Sequence, residues 1–282
     1  MHTVETARPS RDLLPYVRGY AQRRTRMSNS VVFQSSPACL ETTLNFEFGD
    51  HPSIRRHECN FSSHDVDVIG SRTYMYCEVG LRGNMDSFAV FFHPTGFAQL
   101  FGIPIHELVD QADDVTSILG LQVRSLWNEL GENSSFEGRV CILERFLLQR
   151  TTRMRSADKI VRAANYVIAT HGVVQMPHLA RQCGLGLRHF QRRFQATVGV
   201  TAKHFARIAR FQMALETKVA LPQRSWLDIA HALHYHDQMH MVHDFQSLGG
   251  DSPGRLIELL GDMRPLAIPA VGEDRTVRGT VD

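Results

Sequence analysis

One motif occurs twice in this chain, and its recurrence constrains the fold more than any other feature. Leu179-Ala180-x-x-Cys183-Gly184-Leu185, followed by Phe190 and Phe194, returns as Ile229-Ala230-x-x-Leu233-His234-Tyr235, followed by Met241 and Phe245. In each copy an apolar pair belongs to a short helix, a tight turn follows, and the next apolar residues recur at i and i+4, the spacing of one helix face. That succession predicts a helix-turn-helix unit. Two units in one small domain predict a chain that meets two stretches of one DNA groove.

The exposed faces of the two second helices differ. In the first, Leu187, Phe190, Phe194 and Val198 form a packing stripe, and Arg188, Gln191, Arg192 and Gln195 form a polar stripe at i, i+3, i+4 and i+7. Arg and Gln carry the donors that match guanine O6/N7 and adenine N6/N7 in a major groove. His189 and Arg193 flank that stripe and are expected at phosphates. The corresponding stripe of the second helix is Met239, Val242, His243 and Gln246, with His240 alongside and Asp244 next to His243. Such a face can touch thymine methyls and phosphates but has few bidentate base readers. The first unit is therefore expected to read most of the sequence and the second mainly to position the domain. The second turn has His234 where the first has Gly184, and a side chain resists positive φ, so that turn is expected to be strained or differently shaped.

Charge points to the same region. The chain's net charge is only +2. Residues 157–210 nevertheless hold nine Lys and Arg against Asp158 alone, a net of +8, whereas 211–262 hold three against seven acids, a net of −4. A basic half-domain is the footprint of a polyanion, because neutralising phosphates releases condensed counterions. His231, His234, His236, His240 and His243 crowd the acidic half. Histidine titrates near neutrality and gains charge beside phosphate.

Upstream, residues from about Val31 to Phe92 carry short alternating runs rich in β-formers, such as 40–48, 66–69 and 87–92, separated by Gly, Asp and Asn. They predict a small antiparallel sheet or barrel. Helical patterns follow over 96–101, 105–111, 121–130 and 136–149. The last places Val140, Ile142, Leu143, Phe146 and Leu147 near one face, suited to covering the sheet or pairing with a second copy. The expected organisation is an α+β chain: an amino-terminal domain (1–150), a polar linker (151–157), an all-α domain of two helix-turn-helix units joined by a connecting helix (158–262), and an unstructured tail (263–282).

These residues resemble the AraC/XylS transcription regulators. The resemblance rests on Gly184-Leu185, Arg192-x-Phe194, Gly199, Arg210-Phe211-x-x-Ala214, Ile229-Ala230, Asp237, His240, Phe245, Gly250 and Ser252-Pro253, and it covers about 100 residues from Ala157 to Leu260. The second turn is one residue longer than the first, as in that family. The resemblance implies seven helices, with a long connecting helix holding two recognition helices about one DNA turn apart. It further implies promoter DNA as partner and RNA polymerase as a candidate second contact, with the chain an activator or a repressor of transcription. A weaker resemblance, carried by Leu14-Pro15-Tyr16-Val17, Leu44-Asn45-Phe46, Val90-x-Phe92-x-Pro94 and Glu107-Leu108, links the amino-terminal half to a poorly characterised domain that precedes some AraC-type regions. It implies a small effector, a homodimer, or both, with Phe46, Phe48, Phe88, Val90 and Phe92 able to line a pocket, although filling a core is their default role.

Other chemistries find little support. There is no Gly-rich phosphate loop, GxSxG elbow or HExxH, His93 has no sequence-level partner, and no catalytic residue, metal ligand or cofactor is assigned. His236 and His240 with Asp237, His57-Glu58-Cys59 and His64-Asp65-x-Asp67 are the nearest approaches to metal ligands, and none fits a firm template. A cupin-like metal-binding enzyme or binding protein with an accessory helical module is the alternative these clusters keep open. Five cysteines without a CxxC pair predict reduced, mostly buried thiols. No apolar run approaches a membrane span and Met1 to Glu5 open no signal peptide, so the expected location is the cytoplasm.

Overall fold

Alternation along the central strands decides how the amino-terminal half is layered. In the computed structural model, which describes residues 2–26, 31–56, 59–75, 77–151, 158–259 and 276–279, these strands are β1 (His2–Ala7), β2 (Val17–Arg26), β3 (Val32–Ser36), β4 (Thr42–Glu47), β5 (Ser53–Arg56), β6 (Cys59–Ser62), β7 (Val66–Ile69), β8 (Cys77–Leu81) and β9 (Asn84–Phe92). Helices α1 (Gly96–Phe101) and α2 (Ile105–Leu108), strand β10 (Ala112–Asp114), and helices α3 (Val115–Leu119), α4 (Leu121–Glu132) and α5 (Phe136–Thr151) complete this half. One antiparallel sheet has the order β10-β7-β4-β9-β2-β1 and gains a further edge strand, β11 (Thr276–Gly279), on β1; a second has the order β3-β8-β5-β6.

Leu44 pairs with Val90, and Phe46 with Phe88, in register, so their side chains share one face of the larger sheet. That face packs against Phe97, Leu126, Leu130, Phe136, Leu143 and Leu147 from the helices in one buried core. The opposite face carries Ala21, Arg23, Thr43, Asn45, Glu47, Ser87, Ala89 and Phe91 and looks across a cavity at the smaller sheet. Because strand side chains alternate, the same strands supply both a core and the floor of a cavity. The 136–149 helix covers the sheet, with Leu143 and Leu147 fully buried.

Two sequence expectations are corrected here. The sheet begins at His2 rather than near Val31: β2 is central, between β9 and β1, and its Arg18, Arg23, Arg24 and Arg26 mask a strand whose two faces are both covered. The tail is not wholly without structure, because Thr276–Gly279 pairs antiparallel with β1, His2 opposite Gly279 and Glu5 opposite Thr276. An open β1 edge leaves backbone groups that an extended Thr-Val segment satisfies. The rest of the expected tail and residues 152–157 of the expected linker lie outside the described residues, and Thr151 is the last residue of α5.

The carboxy-terminal half contains, among the described residues, the seven helices that the resemblance implies: α6 (Lys159–Ala169), α7 (Met176–Gln182), α8 (Leu187–Val198), α9 (Ala202–Ala220), α10 (Trp226–Ala232), α11 (Gln238–Gly249) and α12 (Pro253–Leu259). The 19-residue α9 is the spine. It packs Phe205 edge-on to Phe194 of the first unit (centroids 5.5 Å apart) and Phe211 edge-on to Phe245 of the second (4.9 Å). No described helix is long and apolar enough to cross a membrane.

Candidate DNA interface and the adjoining cavity

Each unit is built by the same turn. After α7, Gly184 takes a left-handed backbone (φ 71°), Gly184 N–H donates to the Arg181 carbonyl (2.9 Å) and Leu185 N–H to that of Ala180 (3.0 Å). After α10, His234 takes the same left-handed region (φ 53°), donating to His231 (3.1 Å), while Tyr235 donates to Ala230 (2.9 Å). Of the two outcomes expected for this turn, strain is the one found. Its hydrogen bonds match those of the first turn, with His234 accepting the conformation that Gly184 adopts without cost. The extra residue lets Asp237 cap α11, accepting from His240 N–H at 2.7 Å. Asp237 also bonds His236 Nδ1 (3.0 Å), so the grouping of His236, Asp237 and His240 serves as a helix cap.

On α8, Phe190, Phe194 and Val198 are buried, whereas Arg188, His189, Gln191, Arg192 and Gln195 are exposed on the other side. Leu187 departs from the expected packing stripe and is 40% exposed, since it opens the helix before the core begins. Arg193 is ion-paired with Asp158, the cap of α6, at 3.1 Å. On α11, Met241, Asp244, Phe245 and Leu248 are buried, and Met239, His240, His243 and Gln246 are exposed, with Val242 half-buried. Asp244 therefore does not face outward beside His243. It turns inward, where Arg207 of α9 donates to it from Nε (2.9 Å) and Nη2 (2.7 Å), a tie between the basic and acidic halves that charge counting along the sequence does not disclose.

The cavity between the two sheets has a volume of about 360 Å³, and α9 closes it with Gln212, Leu215, Glu216 and Val219. At this closure Arg18 of β2 bonds both Glu41 and Glu216, Gln212 donates to Glu41 (2.6 Å) and accepts from Leu40 N–H (3.0 Å). Burial pushes the Glu41 carboxyl up, but the Arg18 charge and hydrogen bonds from Cys39 and Gln212 outweigh it and bring it down to about 2. Burial raises Glu216, against the opposing pull of Arg18. Deeper in, burial pushes Glu47 up to about 7, although Ser87 (2.6 Å) and Asn45 (2.7 Å) donate to it. Further ties join the halves: Ala38 N–H to the Leu248 carbonyl (2.8 Å), His204 Nε2 to the Thr73 carbonyl (3.0 Å), and Gly199 (φ 85°), where a Cβ would lie 2.6 Å from Val109.

Sequence reading missed this cavity. Phe46, Phe88, Val90 and Phe92, offered as pocket-lining, sit in the core on the other face of the same strands. The period-two alternation of Thr43, Asn45 and Glu47 against Leu44 and Phe46 was the available signal. Among the described residues no three His, Cys, Asp or Glu gather as metal ligands. His64 instead bonds Asp67 (2.7 Å), and His57 and Glu58 lie outside the described residues. Cys39, Cys77, Cys141 and Cys183 are free thiols, of which Cys141 is exposed.

Two family models match: a helix-turn-helix domain over residues 179–258 and a domain of unknown function (DUF6597) over residues 5–114. No curated protein matches the chain. Among solved structures, an apo lysine-to-alanine variant of ToxT from Vibrio cholerae is similar in fold at 8% identity, with a TM-score of 0.51 over 90% of this chain and 100% of that one. Wild-type ToxT from Vibrio cholerae bound to an unsaturated fatty acid gives 10% identity and a TM-score of 0.47 over 93% and 96%. The AraC-like transcriptional activator CuxR gives 12% identity and 0.24 over 75% and 86%. The chain accordingly carries a helix-turn-helix domain over residues 179–258 behind a DUF6597 domain over residues 5–114.

Proposed function

We propose that the chain is a sequence-specific transcription regulator whose two recognition helices, α8 and α11, enter successive major-groove segments under the control of a small effector held in the cavity. The observation that carries this reading is the position of α9. Its Phe205 and Phe211 pack on the two recognition helices, and its Gln212, Leu215, Glu216 and Val219 close the cavity. A molecule seated there touches the element that sets the spacing between the two readers, which is the physical requirement for coupling two sites. The volume lies within the range of small-molecule sites, about 300 to 1,000 Å³. A fatty acid is the ligand of a ToxT structure, but likeness at this identity concerns fold alone; here the cavity is lined mostly by apolar side chains such as Ile54, Phe61, Val79 and Phe91, with Asn45, Glu47 and Ser87 as polar groups on its floor.

Base reading is assigned mainly to Arg188, Gln191, Arg192 and Gln195 on α8, with His189 at phosphate. Met239, His240, Val242, His243 and Gln246 on α11 position the domain. Arg193 joins the phosphate contacts only where it exchanges Asp158 for DNA. A second copy of the chain and RNA polymerase are further partners in this reading, and no catalytic role is assigned. The test is fluorescence anisotropy of the full chain with a labelled duplex between about 50 and 200 mM salt. Affinity is expected to fall by about a thousandfold or more across that range, as six or more phosphate contacts require. A flat response contradicts the reading.

A further inference from the structure

We propose that the cleft between α9 and α11 is a phosphate track that grips the DNA backbone between the two major-groove segments, with Lys203 as its principal cation. The inference rests on the DNA-binding reading and adds to it a contact centred on Lys203 of α9, outside both recognition helices.

The cleft is open, about 530 Å³, and is lined by Thr201, Lys203, His204, Arg207, His240, His243 and Asp244. Its charge is decided by pairing. Asp244 is its acid, and Arg207 neutralises it through two hydrogen bonds. His204 is engaged with the Thr73 carbonyl of the amino-terminal domain. Lys203 is exposed and forms no ion pair among the described residues, and His240 and His243 of α11 line the same cleft. Lys203 also lies in the first turn of a 19-residue helix, whose positive end adds to the attraction for an anion.

Position selects the occupant. Thr201 lies three residues beyond Val198, the last residue of α8, while His240 and His243 belong to the outward face of α11. The cleft therefore runs from the end of one recognition helix to the face of the other. A DNA strand that leaves one major-groove segment crosses a minor groove before the next, so its phosphates pass between the two helices. A lysine ammonium with histidine donors in the same cleft suits a phosphate oxygen and carries no base information.

The test compares the wild-type chain with Lys203→Ala on duplexes enriched by the wild type from a random pool. Two readouts are used: the dependence of affinity on salt, and interference by phosphate ethylation. The proposal expects binding to weaken about tenfold, by the same factor on enriched and mismatched duplexes. It expects the slope of log affinity against log salt to become shallower by about 0.9. Ethylation of phosphates midway between the half-sites should impede the wild type and leave Lys203→Ala unaffected, and Lys203→Arg should restore the wild-type slope. An unchanged slope overturns the track, and so does a variant that alters base preference. If the wild type itself shows no salt-dependent duplex binding, the DNA-binding reading fails first and the track with it.

Discussion

His234 holds a left-handed backbone at the position where the first turn has Gly184. A side chain in that region costs about 1 to 2 kcal/mol, and glycine returns part of the difference through the greater entropy of its unfolded chain. His234 is exposed, so its replacement removes no packing. His234→Gly is expected to raise the unfolding free energy by about 0.5 to 1 kcal/mol, read from urea denaturation. A decrease would show that the imidazole makes a contact outweighing the strain. Glu47 presents a different local cost. Its folded-state pKa of about 7 stands above the ordinary 4.5, so between these values the folded chain holds the extra proton. Its contribution is full below about pH 4.5 and is lost as pH rises through 7. Glu41 has the opposite sign: held down at about 2, it contributes above pH 4.5 and is lost as pH falls toward 2. Glu47→Gln should flatten the decline in melting temperature between pH 5 and 8 relative to the wild type; a decline of unchanged steepness would assign it to another group.

At the level of elements, α8 and α11 share a scaffold and differ in what they expose. Phe190 and Phe194 correspond to Met241 and Phe245 in the core, but Arg188, Gln191, Arg192 and Gln195 stand against Met239, Val242, His243 and Gln246 outside. Arg192→Ala is expected to reduce discrimination between an enriched site and a single-base mismatch by about 1 to 3 kcal/mol, the worth of one bidentate base contact. His243→Ala should weaken both sites alike. Equal loss of discrimination in the two variants would remove the asymmetry. These helices were legible in the sequence because each has one buried stripe with a 3.6-residue period and the turns between them are short. Strand β2 was not, since both its faces are covered and its four arginines hide the pattern. The inward turn of Asp244 was equally hidden, because its partner Arg207 lies 37 residues away on another helix. Position along a helix shows which residues share a face, not which of two faces a neighbouring helix covers.

Across the whole molecule, α9 joins what sequence patterns present as separate parts. It carries the contacts of both recognition helices, closes the cavity through Gln212 and Glu216, and reaches β2 through Arg18. The cavity itself lay beyond sequence reading, since it depends on two sheets and a helix from the other domain meeting around Glu41 and Glu47. In this account the two halves form one device: a ligand chamber whose wall is the spacer between one base-reading helix and one positioning helix. The most direct test of that claim is selection of bound duplexes from random DNA by the full chain. The account predicts a direct tandem of two half-sites about one helical turn apart, one with several fully specified positions and the other loose and leaning to A·T. Absence of enrichment, or two half-sites specified to equal depth, would contradict it.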